Sequence, residues 1–485
     1  APATRSASLC HLIRCLTKSA PLAVRIWWSE FTKEKSTLYA QIKTAERNIL
    51  PSRTMYSEVL IIGGGLAGCE AALVLAENGI KVRLIDCKPL AKSPAHCSDD
   101  YAEVVCSNSF KSNDSYTASG LIKEELRTLG SPLIEIADMN RVPAGGALAV
   151  DRFAFSHAVS EKIKNSANIV TECRLVDKVD FSLPTIIAVG PLGLSPIGNF
   201  LQSEFGDNLG FYDAEAPIID AASVDYDKTF SASRYDKGDD DYVNCPLTRD
   251  EYYRFVSELV SAKRALVKEF DRRDVFEGCM PIEIMAQRGT DTLRFGPLKP
   301  VGMLDKDGKR PFAVVQLRKE NVSASMFNIV GFQTNLTFPE QRRVFGIIPA
   351  LKNAEYLRYG VMHRNMYINA PKVIDETFAT QKYPLCFIAG QLSGVEGYVE
   401  SIASGHVAAL NMINKLSGKP PVIFGTETMI GALCGYLRVN SDNFQPMNAN
   451  FGLLKPLEET IRDKTLKKKT LALRALENIK RLKND

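Results

Sequence analysis

Two short apolar segments flank a glycine-rich turn and an Ala- and Leu-rich segment in residues 58–86, which read EVLIIGGGLAGCEAALVLAENGIKVRLID. The β-branched and aliphatic run 59–62 predicts a buried parallel strand. The residues after the glycines predict a helix that ends near Asn78 and Gly79, because this pair is a good C-terminal stop. The run 80–85 predicts a second strand, and it ends at Asp86. The pattern therefore predicts a βαβ unit.

The turn between the first strand and the helix has the pattern G-x-G-x-x-G. Gly63 permits a tight turn, Gly65 lets the backbone approach a pyrophosphate, and Gly68 lets helix and strand pack closely. The N-terminus of the helix offers free N–H groups to phosphates. Asp86 lies 23 residues after Gly63 and is placed to accept hydrogen bonds from a ribose hydroxyl, which favours FAD or NAD over NADP.

A lone G-x-G-x-x-G also fits a plain glycine-rich turn, but here strand, glycines, helix, strand and acid all follow at the right spacing. We therefore predict a dinucleotide site. The cofactor contacts predicted in this unit are Gly63, Gly64, Gly65, Leu66, Ala67, Gly68 and Asp86.

Two later segments repeat the combination of strand and glycine turn. Residues 184–190 predict a buried strand that ends at Gly190. The strand 385–389 leads into a turn with Gly390 and Gln391, and a helix follows. We predict Gly190, Gly390 and Gln391 as further cofactor contacts, and an inserted domain between the two halves of the site.

The predicted fold class is α/β: a Rossmann-like domain, with a parallel sheet and helices on both faces, and an inserted smaller α+β domain. The cofactor domain is predicted to be discontinuous, over residues 55–200 and 346–455, and the insertion to cover 201–345. Residues 456–485 are predicted to form a basic C-terminal helix. Residues 1–54 are predicted to be an extension, poorly ordered or similar to a transit peptide.

The extension decides the expected compartment. Its first part carries Arg5, Arg14, Lys18 and Arg25 without an acid, which is typical of an organelle transit peptide. The alternative, slightly favoured, is that the native chain starts at Met55. We expect a cytoplasmic protein, or an imported one if residues 1–54 are a genuine transit peptide.

Composition excludes several classes. A hydrophobic fraction of 45% with 24% charged residues is typical of a soluble globular protein. No apolar run approaches the ~20 residues that span a bilayer, so no membrane partner is expected. The 11 cysteines contain no C-x-x-C pair. This indicates free thiols and predicts neither a disulfide framework nor a metal site.

The net charge of +4 is unevenly distributed along the chain. Residues 1–54 carry +6 and residues 455–485 carry +5, which leaves about −7 for the body between them. Polyanion binding would therefore need a local patch. In the tail, Leu466, Leu473, Leu476 and Ile479 predict an apolar stripe. Two interpretations stay open: a solvated helix docked on the body, or a basic face that contacts phosphates.

Several long motifs resemble the folate- and FAD-dependent tRNA (uracil-5-)-methyltransferase family, TrmFO, formerly called Gid. The resemblance covers residues 59–455 and rests on these segments: PAHCSDDYAEVVCSNSF, VPAGGALAVDR, SRYDKG, NCPLT, FEGCMPIEIMAQRG, FGPLKPVG, NIVGFQTNL, RYGVMHRN, AGQLSGVEGYVESIASG and NFQPMNANFGLLK.

The resemblance implies methylation of uracil C5 in tRNA, giving ribothymidine in the T-loop. It implies FAD as cofactor, with methylene-tetrahydrofolate and NAD(P)H as co-substrates. Three alternatives stay open: the ribosomal RNA (rRNA) branch of the same family, a wobble-uridine flavoprotein of the MnmG (GidA) kind, and a plain FAD-dependent oxidoreductase. The expected state is monomer or homodimer.

Uracil C5 becomes nucleophilic when a thiolate adds at C6, so this chemistry needs a cysteine and a base. The motifs contain Cys279 and Cys106. We assign Cys279 as the nucleophile and Cys106 as base or alternative nucleophile, and leave their order open. His96 and His363 are further candidates for proton transfer or for holding folate or flavin.

Two larger sets of motif residues are candidates for binding. Arginine forks suit carboxylates and phosphates, and the basic candidates are Arg152, Arg234, Lys237, Arg288, Lys299, Arg318, Arg358 and Arg364. The aromatic candidates for stacking on a flavin, a pterin or a flipped base are Tyr235, Phe295, Phe332 and Tyr398.

Overall fold

The computed structural model describes residues 58–93, 96–191, 195–206, 209–234, 241–265, 280–439 and 444–484. The strands are β1 Val59–Ile62, β2 Val82–Asp86, β3 Ser109–Ser112, β4 Arg141–Val142, β5 Ala147–Val150, β6 Ile169–Cys173, β7 Thr185–Ile187, β8 Leu209–Ala214, β9 Ile218–Asp220, β10 Phe230–Ser231, β11 Tyr242–Leu247, β12 Ala313–Lys319, β13 Met326–Ile329, β14 Tyr356–Arg358, β15 Met362–Tyr367 and β16 Cys386–Ile388.

The helices are α1 Leu66–Glu77, α2 Ala118–Leu129, α3 Pro132–Met139, α4 Arg152–Lys164, α5 Ser195–Phe205, α6 Arg249–Ser261, α7 Ile282–Gln287, α8 Thr292–Phe295, α9 Phe338–Phe345, α10 Ala370–Val373, α11 Tyr398–Leu416, α12 Met429–Tyr436 and α13 Lys464–Asn484.

A five-stranded parallel sheet organises the first core, in the order β16-β7-β1-β2-β6. The central strand β1 pairs with β2 on one side and with β7 on the other, and Ile61 lies opposite both Leu84 and Ile186. These side chains are fully buried, which explains why the strands are continuous apolar runs and not alternating ones. The predicted α/β class is confirmed.

Helices α1 and α11 pack closely because glycine lies at their contact. A Cβ atom on Gly405 would lie 2.2 Å from the carbonyl oxygen of Ala67, so only glycine fits there. Farther along, the buried side chains of Glu70 and His406 are hydrogen bonded, with Oε1 and Nδ1 2.7 Å apart. Helix α11 is therefore fixed against the helix that follows the first glycine turn.

A second core is built around a six-stranded sheet with the order β10-β11-β12-β13-β9-β14. Its buried residues run from Ile219 to Leu351 and come from the sheet and from helices that include α6 and α9. Strands β8 and β15 form a separate antiparallel pair. The domain boundaries drawn from the sequence stay a prediction, and residues 1–54 lie outside the described residues.

The tail forms the helix α13, but its buried side differs from the predicted stripe. Leu471, Ala472, Ala475 and Ile479 are buried, whereas Leu466 and Leu473 are 54% and 55% exposed. The small alanines let α13 lie close against α2. Leu466 and Leu473 are two helical turns apart and so share one side of the helix, and this side is exposed. The prediction for these two leucines was wrong. In the described part of the chain, no helix is long and apolar enough to cross a membrane.

Candidate functional site

A cavity of about 470 Å³ opens where β1, β2, β7 and β16 end. In parallel sheets, this carboxyl edge is the usual place for a ligand. The structure brings these predicted residues together in the cavity wall: Gly63, Gly64, Gly65, Leu66, Ala67, Asp86, Cys106, Gly190, Gly390 and Gln391. Gly68 lies behind the turn.

The glycines of the first turn have different environments. Gly63 has φ +108°, a conformation that favours glycine. A Cβ atom on Gly68 would lie 1.9 Å from the Gly63 carbonyl oxygen, whereas one on Gly65 would meet no protein atom within 4 Å. Gly65 is also the N-cap of α1, and no side chain caps it. The turn thus leaves open backbone at a helix N-terminus, which fits a dinucleotide pyrophosphate.

Asp86 braces this turn from the end of β2. Its Oδ2 accepts a hydrogen bond from the Gly64 N–H at 2.6 Å, and its Oδ1 accepts one from the Lys88 N–H at 2.8 Å. Each carboxylate oxygen keeps a second lone pair for a ribose hydroxyl. The sequence pattern indicated the ribose contact but not this bracing role.

The other glycine turns close the cavity from β7 and β16. Gly190 and Gly390 have φ +71° and +76°. The Gly390 N–H donates to Ser404 Oγ at 2.7 Å, and the amide of Gln391 donates to the buried carboxylate of Glu396. Helix α11 then begins after Gly397 without a side-chain cap, so a second helix N-terminus faces the cavity.

Cys106 lies half-buried in the cavity wall, and Tyr398 holds its backbone. The Tyr398 hydroxyl accepts hydrogen bonds from the N–H of Cys106 at 2.8 Å and of Ser107 at 3.1 Å. Burial raises the pKa of Tyr398 well above its usual value, with the nearby Cys106 adding to the shift. The phenol is therefore neutral, and its position at the first residue of α11 ties the cysteine to the second helix N-terminus.

Three motif arginines hold the same segment from the other side. Arg152 and Arg358 both donate to the Val105 carbonyl, at 3.0 and 2.7 Å. Arg318 donates to Ser107 Oγ and to Asn108 Oδ1, both at 2.8 Å.

Two of these arginines are also paired with carboxylates. Arg152 bonds the buried Glu320, and Arg358 bonds the buried Glu215. They therefore act here as braces of the Cys106 segment.

His96 lies in the cavity wall, and its Nδ1 is 2.7 Å from Ser93 Oγ. Burial lowers the pKa of His96, with a further contribution from Lys88. His363 lies in β15, where its backbone is paired with that of Asp213 in β8.

Cys279 lies outside the described residues, so its distance from Cys106 stays a prediction. Glu283, four residues later, is buried, and both of its carboxylate oxygens are hydrogen bonded. They accept from Thr334 Oγ1 at 2.9 Å and from the Asn335 N–H at 2.8 Å. Burial raises the pKa of Glu283. It braces the segment after Cys279.

The aromatic candidates differ in how exposed their rings are. Tyr398 lines the cavity and Phe295 is 83% exposed, but Phe332 is fully buried in the second core, so its predicted stacking role is wrong. An apolar ring in a packed core has no free face for a ligand. Tyr235 lies outside the described residues.

The sequence reasoning missed several charged residues of the wall, among them Lys111 and Glu400, whose side-chain N and O atoms lie 3.7 Å apart. Lys111 has φ +63°, which is unusual for a side chain of this size. Glu400 lies within a motif and Lys111 directly follows one, which was the available signal. Among the described residues, no group of three His, Cys, Asp or Glu is arranged to hold a metal ion.

The parallel sheet, its glycine turns and the cavity between them define a Rossmann-like dinucleotide-binding protein. The family described as glucose inhibited division protein A matches residues 58–420. The chain is 51% identical over 429 residues to the methylenetetrahydrofolate–tRNA-(uracil-5-)-methyltransferase TrmFO of Acetivibrio thermocellus, covering 88% of this chain and 98% of that protein. The TrmFO of Staphylococcus aureus is 50% identical, with coverage of 88% and 99%. The chain belongs to the TrmFO family.

Aquifex aeolicus GidA shares the fold, with a TM-score of 0.64 at 16% identity over 88% of this chain and 76% of that one. The membership inferred from the motifs is confirmed.

Proposed function

We propose that this protein methylates C5 of a uridine in tRNA, the T-loop uridine that gives ribothymidine, with methylene-tetrahydrofolate as carbon donor and FAD reduced by NAD(P)H. One observation carries the proposal: a motif cysteine, Cys106, is held by its backbone in the wall of a dinucleotide cavity. A flavoprotein that only transfers hydride has no need of such a cysteine. The identity of about 50% to several TrmFO proteins supports the same activity.

FAD, when bound, supplies the redox chemistry of the one-carbon transfer. The chain supplies the rest. The open backbone at Gly65 and the N-termini of α1 and α11 bind phosphates, and Asp86 accepts from a ribose hydroxyl. These contacts are part of the proposal.

The cysteines act on the base. A thiolate adds to uracil C6 and makes C5 an enolate carbon, which attacks the one-carbon unit. A base then removes the C5 proton as the folate carrier leaves, and the thiolate leaves C6 as two electrons, supplied ultimately by NAD(P)H, reduce the transferred carbon to the methyl group. We assign the addition to Cys279 and the proton to Cys106. Because the target uridine is stacked in folded RNA, it must be flipped into the cavity. We further propose that the protein is cytoplasmic and is a monomer or a homodimer.

The test uses purified protein with undermodified tRNA, undermodified rRNA, NAD(P)H and carbon-labelled methylene-tetrahydrofolate. We expect label at C5 of the T-loop uridine, lost in Cys279→Ala and in Cys106→Ala. Cys173→Ala, at an exposed cysteine of β6, is the control and should keep activity. Label in rRNA alone would move the substrate to the rRNA branch. A flavin-loaded protein that labels neither RNA would overturn the proposal.

A further inference from the structure

The exposed surface of α13, called here its basic face, carries seven cations and one acid, Glu477. Its exposed cations are Lys464, Lys467, Lys468, Lys469, Lys480, Arg481 and Lys483. Within the described part of the chain, none of them forms an ion pair with a carboxylate. Surfaces normally intersperse both signs, so this face is unusual, and it stands out further because the body of the chain is net negative.

Two lysines in the N-terminal half of α13 lie near aromatic rings of segments that lead into the cavity wall. The Nζ atom of Lys469 is 5.2 Å from the centre of the Tyr116 ring, and Nζ of Lys468 is 6.0 Å from that of Phe451. Tyr116 is five residues from the cavity residue Lys111, a distance of at most ~18 Å along the chain. Phe451 is closer still to a cavity residue, at three positions from Asn448.

The basic face is held rigidly. The buried side chains of Ala472, Ala475 and Ile479 fix α13 on the body. Arg474 Nη1 donates to the Pro456 carbonyl at 3.0 Å, and Lys483 Nζ donates to the Thr128 carbonyl at 2.6 Å. The cations of residues 464–483 thus stand on a fixed helix about 29 Å long. A preorganised helix loses little backbone conformational entropy when it binds.

We propose that this face of α13 binds the phosphate backbone of the RNA substrate and guides it to the cavity, with Lys467, Lys468 and Lys469 nearest the rim. The inference rests on the proposed function. Charge complementarity points to a polyanion, and the link to the cavity favours RNA over an anionic lipid surface. A membrane-surface helix needs a broad apolar face, whereas the exposed face of α13 offers Leu466 and Leu473 as its large apolar side chains.

The test removes the three charges together, as Lys467→Gln, Lys468→Gln and Lys469→Gln. Each lost phosphate contact lowers the slope of log K against log salt by about 0.7 to 0.9. We expect the slope for tRNA to fall by about 2, and the KM for tRNA to rise about tenfold or more while kcat is kept. The matched control removes three exposed lysines elsewhere: Lys178→Gln, Lys309→Gln and Lys352→Gln. The corresponding triple Lys→Arg variant should bind as the wild type does.

Flavin content and NAD(P)H oxidation without RNA should be unchanged in the triple Gln variant, which shows that the fold is kept. An unchanged tRNA affinity and salt slope would overturn the proposal. So would loss of binding to phosphatidylserine vesicles with tRNA binding intact, which would assign the face to a lipid surface. If the wild type binds tRNA through these lysines but labels no RNA, the proposed function fails and the interface stands.

Discussion

At the scale of single residues, the two glycines Gly65 and Gly68 look alike in the sequence pattern but have opposite surroundings. Gly65 faces open space in the cavity, and Gly68 is pressed against the backbone of Gly63. The pattern predicts both as cofactor glycines. The structure shows that Gly65 leaves room for a ligand, whereas Gly68 lets the helix pack closely against the turn.

Gly65→Ala should fold normally and bind FAD poorly, because its methyl group meets no protein atom and would occupy the space of the pyrophosphate. Gly68→Ala should instead lower the free energy of unfolding by ~2 kcal/mol or more, since overpacking forces the backbone to shift. Thermal unfolding without flavin and FAD titration of the two variants check this. Equal FAD affinity of Gly65→Ala and the wild type would contradict the expected pyrophosphate site.

Tyr398 supports the cysteine through one hydroxyl oxygen. Tyr398→Phe leaves the N–H groups of Cys106 and Ser107 without their acceptor, at a cost of ~1–3 kcal/mol each, and lets the cysteine move. We expect kcat to fall at least tenfold, measured as label transfer at saturating substrates.

The control for this change is Tyr252→Phe. It removes a buried hydroxyl that donates to the Thr290 carbonyl in the second core, and it should cost stability with activity kept. Equal activity of the two variants would show that Tyr398 does not position Cys106.

At the scale of elements, buried charges fix where helices begin. Helix α12 starts against the carboxylate of Glu125 on α2, whose oxygens accept from the N–H groups of Met429 at 2.6 Å and of Ile430 at 2.8 Å. Burial raises the pKa of Glu125 to about 7, opposed by these two hydrogen bonds. One residue thus joins two helices that are about 300 positions apart in sequence.

This shift predicts a pH dependence of stability. Because the folded-state pKa lies above the unfolded value of 4.5, the folded protein keeps a proton that the unfolded chain releases. The stability contributed by Glu125 is therefore fully present below about pH 4.5 and is lost as pH rises through about 7. We expect the wild type to lose up to ~3 kcal/mol relative to Glu125→Gln across this window. Urea unfolding of both proteins at several pH values measures it; a constant difference would contradict the shift.

At the scale of the whole molecule, the two cores meet through a buried ion pair whose arginine also holds the Cys106 segment. Arg152 belongs to α4 beside the parallel sheet, and Glu320 follows β12 of the antiparallel sheet. The Nη2 atom of Arg152 and the Oε2 atom of Glu320 are 2.9 Å apart, and both side chains are almost fully buried. The site is thus completed by contacts between the two sheets.

Arg152→Met removes the closer cation from the buried charge of Glu320 and leaves it Arg318, 3.9 Å away; it should lower the free energy of unfolding by ~3–5 kcal/mol. The double variant Arg152→Met with Glu320→Gln removes that charge and should recover a large part of the loss. Denaturant unfolding of the wild type, the single and the double variant checks this. A double variant as unstable as the single one would show that the pair contributes through packing alone.

Much of the parallel sheet and of the first half of the site could be predicted from the sequence, because the residues that form them lie close together along the chain. Apolar runs predict the strands β1, β2, β7 and β16 because a buried parallel strand must be apolar on both faces. The spacing of Gly63, Gly65, Gly68 and Asp86 predicts the first half of the site because a turn and its two flanking strands are local. The motifs around Cys106 and Cys279 indicate the family through their length and unusual composition.

Only the tertiary structure decided what depends on distant partners. The sequence could not show that Tyr398, Arg152, Arg318 and Arg358 converge on the Cys106 segment, because hydrogen bonds across 40 to almost 300 positions leave no periodic signal. Nor could it show which side of α13 is buried: the predicted stripe included Leu466 and Leu473, which are exposed, and left out Ala472 and Ala475, which are buried. Local pattern determines which elements form, and close packing between elements determines which side chains reach the site.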